Sequence, residues 1–268
     1  MGAGPEALLD AGLEKALRDR GDTVRTKIAE ITRGSWSAEI QTSFELMRMV
    51  ATEVRAARES NRLPIVLAGN CNTAVGTLAG LGAQTTGVAW FDAHGDFNTP
   101  ETTSSGFLDG TAVAILTGRC WTRLALTVPD FTPIADDHIC LIGTRDLDPP
   151  ERDLLEASLV EVVDPAHLRT TLGASLDNIR QEVEDMYVHL DLDVLDAGVA
   201  RANTYSVSGG LSLEDAEHSL SEIRGRFRTA GITLSAYDPA GDTDGSAARA
   251  AIHLITSAAS PSVRMVRD

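Results

Sequence analysis

The sequence predicts an α/β protein: a central, mainly parallel sheet covered by helices on both faces, in a single domain over residues 1–268. Three observations carry this. Short runs that are apolar throughout alternate with helix-like segments, the pattern of strands buried on both faces by crossover helices. No internal repeat or low-complexity linker divides the chain. Its 268 residues, 43% hydrophobic and 23% charged, match globular usage and suffice for a large core without disulfides or structural metals.

The elements follow in order. Pro5 opens a helix to Asp19, with Gly21 just past its end. Ser37–Asn61 is a long amphipathic helix, with Ile40, Phe44, Met47, Ala51 and Val54 at helical spacing. Leu63–Ala68 is a short apolar strand, Thr73–Gly82 a helix of small residues, and Gly87–Phe91 a buried strand. Leu108–Gly118 reads as a helix, His138–Ile142 as a strand, Glu151–Ala157 as a short helix and Leu159–Val163 as a strand. Ser175–Asp185 is helical, Met186–Leu192 a strand, Leu213–Phe227 a helix, Ile232–Tyr237 a strand and Ser246–Ser257 the last helix.

Lys and Arg number 23 against 39 Asp and Glu, a net charge of −16. That balance argues against nucleic acid, whose phosphates need a basic face, and against an anionic membrane surface. No apolar run reaches the roughly 18 residues of a membrane helix, and no signal peptide is expected at Met1. Three cysteines, Cys71, Cys120 and Cys140, are too few for a disulfide framework and point to a reducing cytoplasm.

In such sheets ligands bind beyond the carboxyl ends of the strands. There the acidic residues gather: Asp92-Ala-His94-Gly-Asp96 after one strand, Asp191-Leu-Asp193 at the end of another. Alternate residues of a strand point the same way, so each motif converges if its strand stays extended. Four carboxylates packed together repel and raise one another's pKa. A pair of divalent cations removes that cost, and carboxylates with an imidazole suit Mn²⁺ or another borderline-hard metal. His189 shares the parity of Asp191 and Asp193 and is read as structural, like His138, His167, His218 and His253. Cys120 and Cys140 read as buried thiols, and Gly209-Gly210 as turn formers.

At these residues the chain resembles the arginase/agmatinase (ureohydrolase) family. The stretch Trp90-Phe-Asp-Ala-His-Gly-Asp-Phe-Asn-Thr-Pro-Glu-Thr-Thr-Ser-Ser-Gly106 is similar to that family's metal-binding loop, and Gly143–Pro149, His189–Asp193 and Ser208–Ser212 match in order and spacing. The resemblance implies a three-layer α/β/α sandwich, two Mn²⁺ per subunit, a small-molecule guanidino substrate, and a homo-oligomer, trimeric or hexameric. Asp92 and Asp191 match bridging carboxylates, Asp96 a ligand of the first metal, and His94 and Asp193 ligands of the second. The remaining first-metal ligand, a histidine in the family, is here Cys71. Asn98, Ser105 and Asp148 match residues that hold an amino-acid head group. The resemblance also implies that Asp96 takes the proton of the nucleophilic water, with Asp109 expected as the shuttle.

Departures fall in the substrate shell. The family's proton-shuttling histidine is Asp109, its carboxylate-binding asparagine is Phe107, and its guanidinium-gripping glutamate is Ala236. The expectation is a hydrolase cleaving the guanidino C–N bond of an arginine-like amino acid, of arginine or N-hydroxyarginine type, to give urea or a substituted urea. The alternatives are a formimino or other amidine hydrolase, and a metal-binding paralogue with little catalysis, suggested by Cys71, Asp109 and Ala236.

Overall fold

The computed structural model describes residues 1–31 and 38–261. Among the described residues, six strands form one sheet: β1 (Ile65–Leu67), β2 (Thr86–Phe91), β3 (Ile139–Ile142), β4 (Glu161–Val163), β5 (Asp185–Asp191) and β6 (Arg228–Ser235). Their order is β1-β6-β5-β2-β3-β4, and every pair is parallel. After β2 the chain moves towards β3 and β4. It then returns to lay β5 on the other side of β2. The strand order therefore reverses between β2 and β5, where an open α/β sheet leaves a crevice at its carboxyl edge.

Helices cover both faces, as a parallel sheet requires. On one side lie α1 (Gly4–Asp10), α2 (Leu13–Asp19), α8 (Leu168–Ile179), α9 (Leu213–Arg226) and α10 (Ser246–Ala258). On the other lie α3 (Glu39–Glu59), α4 (Ala74–Leu81), α5 (Ala112–Leu116), the single turn α6 (Thr122–Ala125) and α7 (Pro149–Glu156). Strand periodicity divides the core: on β2, Ala89 and Phe91 join the first layer, Val88 and Trp90 the second. No helix among the described residues is long and apolar enough to cross a membrane, and Cys71, Cys120 and Cys140 are free and buried.

Several boundaries differ from the sequence reading. The first helix is two, broken at Gly12, whose φ of +101° suits glycine. The expected start of the long helix, Ser37, lies outside the described residues. The helix placed at Ser175–Asp185 begins earlier, at Leu168, because Asp164 caps the preceding turn by accepting from the His167 N–H at 3.0 Å. Leu168, Leu172, Leu176 and Ile179 then form its buried stripe. Asp185 instead opens β5, and Arg228, which opens β6, grips it with two bonds of 2.7 Å. The last strand ends at Ser235, because Ala236 turns to φ +60°. The segment expected as a helix from Leu108 is helical only over α5, after one 3₁₀ turn at Asp109–Thr111.

Candidate active site

Phe91 of β2 pairs with Leu190 of β5, so Asp92 and Asp191 leave the sheet side by side. Both strands then end in the same local turn. Asp92 Oδ1 accepts from the His94 N–H at 2.8 Å, and Asp191 Oδ1 from the Asp193 N–H at 2.8 Å. Short aspartate side chains favour such turns. The motifs therefore converge by turning, and not by staying extended as the sequence reading supposed. Past His94, Gly95 leaves room for Glu151, since a Cβ there would lie 2.7 Å from Glu151 Oε1. Asp96 takes φ +48°, and its carbonyl accepts from Val113 and Ala114 at the start of α5.

Two sets of side chains meet. Ligand atoms of Cys71, Asp92 and Asp191 lie within 4.8 Å of one another, and so do those of Asp92, His94 and Asp193. Asp92 is common to both. Cys71 Sγ lies 2.9 Å from Asp191 Oδ2, and His94 Nδ1 lies 3.2 Å from Asp92 Oδ1 and 3.6 Å from Asp193 Oδ2. Asp96 stands outside both sets, with Oδ2 buried and without a hydrogen-bond partner.

The electrostatics without cations are strained. Burial, then the charges of Asp92, Asp109, Asp191 and Glu151, push the Asp96 carboxyl well above its ordinary range. Burial and the charges of Asp193 and Asp92 do the same to Asp191, and burial with Asp92 lifts Asp193 to about 6. Burial and four neighbouring carboxylates, Asp191 foremost, push the Cys71 thiol up. Burial disfavours a charged His94 ring, but its bond to Asp92 and the charges of Asp92, Asp193 and Asp146 raise it to about 9. Buried carboxylates that are mutually repelled, an orphaned oxygen, and a thiol and imidazole among them form a donor set that fits divalent cations.

Residues that sequence reasoning left unassigned hold this set in place. Trp90 Nε1 donates to Asp92 Oδ2 at 3.0 Å, and Asn203 Nδ2 donates to Asp193 Oδ2 at 3.3 Å and to the Ala236 carbonyl at 2.8 Å. Glu151 accepts from the N–H groups of Phe97 at 2.9 Å and Asp148 at 3.3 Å, tying the loop after β2 to α7. Arg145 spends its guanidinium on backbone carbonyls, among them Gly143, Asp193 and Val207. Trp90 carried a signal, since it lies two residues before Asp92 and shares its parity. Glu151 carried one in its spacing from Asp148, while Asn203 carried none.

The expected substrate residues divide. Asn98 Nδ2 donates to Asp148 Oδ2 at 3.2 Å, and the hydroxyl that reaches Asp148 is Ser104, at 3.2 and 3.3 Å. Ser105 is exposed, and its Oγ accepts from the Phe107 N–H at 3.1 Å. Asp109 is buried against the 3₁₀ turn that carries Cys71, accepting from the Asn72 N–H at 2.9 Å and Asn70 Nδ2 at 3.1 Å. Burial outweighs those bonds and lifts it to about 7. Phe107 stacks on Tyr205, ring centroids 5.6 Å apart. Ala236 presents a buried methyl.

The sequence profile of the arginase family matches residues 1–260. An arginase of Staphylococcus aureus (strain MSSA476) is 28% identical over 271 residues, covering 94% of this chain and 89% of the relative. An arginase of Brevibacillus brevis is 29% identical over 272 residues, covering 95% and 90%. The crystal structure of arginase from Bacillus subtilis subsp. subtilis str. 168 superposes with a TM-score of 0.87 at 27% identity, over 96% of this chain and 91% of that one. Fold, strand-end acidic cluster and near full-length similarity agree: the chain belongs to the arginase family and is a hydrolase of its ureohydrolase class.

Proposed function

We propose that the protein is a binuclear manganese hydrolase that cleaves the guanidino C–N bond of an arginine-like amino acid, releasing urea or a substituted urea. The observation that carries this is the pair of donor sets sharing Asp92 at the crevice between β2 and β5. Cys71, Asp92, Asp96 and Asp191 would hold the first cation, and Asp92, His94, Asp191 and Asp193 the second. When bound, such a pair supplies a water of lowered pKa and stabilises negative charge developing at the attacked carbon.

The chain's own groups do the rest. Asp96 has a free Oδ2 and is the acceptor for the proton that the nucleophile gives up. The leaving amine needs a proton, and Asp109, lifted to about 7, exchanges between its acid and base forms near neutral pH and can therefore pass one. Asn98, Ser105 and Asp148 orient the amino-acid end, a task remote from the reacting carbon. The reading includes a cytoplasmic homo-oligomer, trimeric or hexameric.

Ala236 favours a second reading. It leaves a methyl where the family resemblance expects a carboxylate for the guanidinium: within the proposal this favours a modified guanidine over unmodified arginine, and outside it a formimino or other amidine. The test is chelator-stripped protein reconstituted with Mn²⁺ and assayed on arginine, N-hydroxyarginine, agmatine and a formimino amino acid. Metal-dependent release of urea or hydroxyurea from an amino-acid guanidine supports the proposal. Turnover of the formimino compound alone would replace it with the second reading.

A further inference from the structure

One buried polar side chain beside the cluster has no part in this mechanism. His189 lies in β5 with no exposed surface, two residues before Asp191. Its ring stacks on Trp90, centroids 3.6 Å apart and planes within 6° of parallel. Both ring nitrogens have hydroxyl partners: Nδ1 lies 3.1 Å from Tyr187 Oη, and Nε2 lies 3.1 Å from Ser235 Oγ. Ser235 Oγ in turn lies 3.0 Å from Cys71 Sγ. Tyr187, His189, Ser235 and Cys71 thus form one unbroken buried path that ends on the sulfur.

We propose that His189 is a positioning residue for the cysteine-containing metal site: acting through Ser235, it aims a hydroxyl proton at Cys71 Sγ and fixes the sulfur towards Asp92 and Asp191. The inference rests on the reading of Cys71 as a ligand. A ring with hydroxyls at both nitrogens, and no carboxylate among its hydrogen-bond partners, carries a single N–H. With that proton on Nε2, His189 donates to Ser235 Oγ, Tyr187 donates to Nδ1, and the Ser235 proton is free to point at sulfur. With the proton on Nδ1, Ser235 must donate to Nε2 and the sulfur loses its hydroxyl donor. A buried sulfur turned towards a cation keeps lone pairs for a donor, and Ser235 Oγ, 3.0 Å away, is the hydroxyl placed to supply it. Ligation therefore selects the first tautomer. Partners of this kind commonly set the orientation of metal ligands.

The sheet register makes the arrangement rigid. His189 lies opposite Trp90 on β2 and Thr233 on β6. Trp90, held flat against His189, donates through Nε1 to Asp92 Oδ2 at 3.0 Å. One stacked layer therefore orients the shared carboxylate from one side and the sulfur from the other.

The experiment uses the full chain loaded with Co²⁺, reading the near-ultraviolet sulfur-to-cobalt charge-transfer band and the Co²⁺ affinity. Parent protein is expected to show the band and Cys71→Ser to lose it. Ser235→Ala and His189→Phe, the latter keeping the stack on Trp90, are expected to shift or weaken the band and lower affinity by about 10–100-fold. His189→Gln, which retains an N–H donor, should recover part of both. Ser235→Ala removes only a hydroxyl and carries the test if His189→Phe does not fold. A parent without the band would overturn the ligand reading of Cys71, and this inference with it. A parent with the band, and variants whose band and affinity are unchanged, would overturn the role of His189 alone.

Discussion

Cys71 and Asp96 are the two residues on which the chemistry of the cluster turns. Thiolate is a softer ligand than imidazole, and Mn²⁺ prefers hard donors. Cys71→His is therefore expected to bind Mn²⁺ more tightly at the first site, and to let Zn²⁺ compete less well. Metal titration of both proteins under reducing conditions measures this, and identical stoichiometry and affinity would mean that the sulfur is not a ligand. Asp96 has the orphaned oxygen, so Asp96→Asn is expected to lower turnover by at least about 100-fold, the usual weight of a positioned base. Near-parental turnover at full metal content would refute its role. At this scale, Asp92, His94, Asp191 and Asp193 were legible as acidic motifs that follow apolar strands, although local turns, and not the period-2 alternation, bring them together. Ser104 and Asn203 were not, because loop side chains are aimed by turns that no periodicity encodes.

Different elements present the two tasks proposed for the site. Asp148 opens α7, and Glu151 reaches back to its N–H at 3.3 Å, so this short helix presents the proposed head-group residue while β2 and β5 present the carboxylates. Asp148→Ala is expected to raise KM for an amino-acid substrate about 10-fold, the loss of a charged hydrogen bond, with kcat nearly unchanged because the binding is uniform. Losing the helix cap should cost about 1 kcal/mol of stability. Steady-state kinetics and thermal melting report the two separately, and a fall in kcat alone would place Asp148 in the chemistry. Strand identity was readable from runs such as Val88–Phe91. Helix ends were less so: Gly12 splits one expected helix, and the Asp164 cap moves another seven residues earlier, from Ser175 to Leu168. Caps and left-handed residues act through single backbone bonds, which apolar spacing does not register.

For the whole molecule, the cluster links metal binding to stability through pH. Without metal, the folded-state carboxyls of Asp193, at about 6, and Asp109 and Glu151, at about 7, lie above their unfolded values. Each favours the fold at low pH, and that stabilisation is lost as pH rises through these values. His94, raised to about 9, is charged with a carboxylate partner, so its contribution is full below its unfolded value near 6.5 and is lost as pH rises towards 9. The metal-free protein is therefore expected to lose stability from pH 5 to 9. Cations take up ionised carboxylates and neutral imidazole, so binding strengthens over the same range. The gap in Tm between Mn²⁺-loaded and chelated protein should widen from pH 5.5 to 8, whereas a constant gap would count against the cluster as the site.

The three-layer architecture brings both motifs to one crevice because β2 and β5 are neighbours at the reversal of strand order. The most direct measurement of that claim is an anomalous difference map from crystals grown in Mn²⁺. Two peaks, roughly 3.5–4 Å apart as in other two-metal hydrolases, are expected within reach of Asp92, one towards Cys71 and Asp191 and one towards His94 and Asp193. A metal-replete crystal with no density at this strand-end cluster would contradict the binuclear centre.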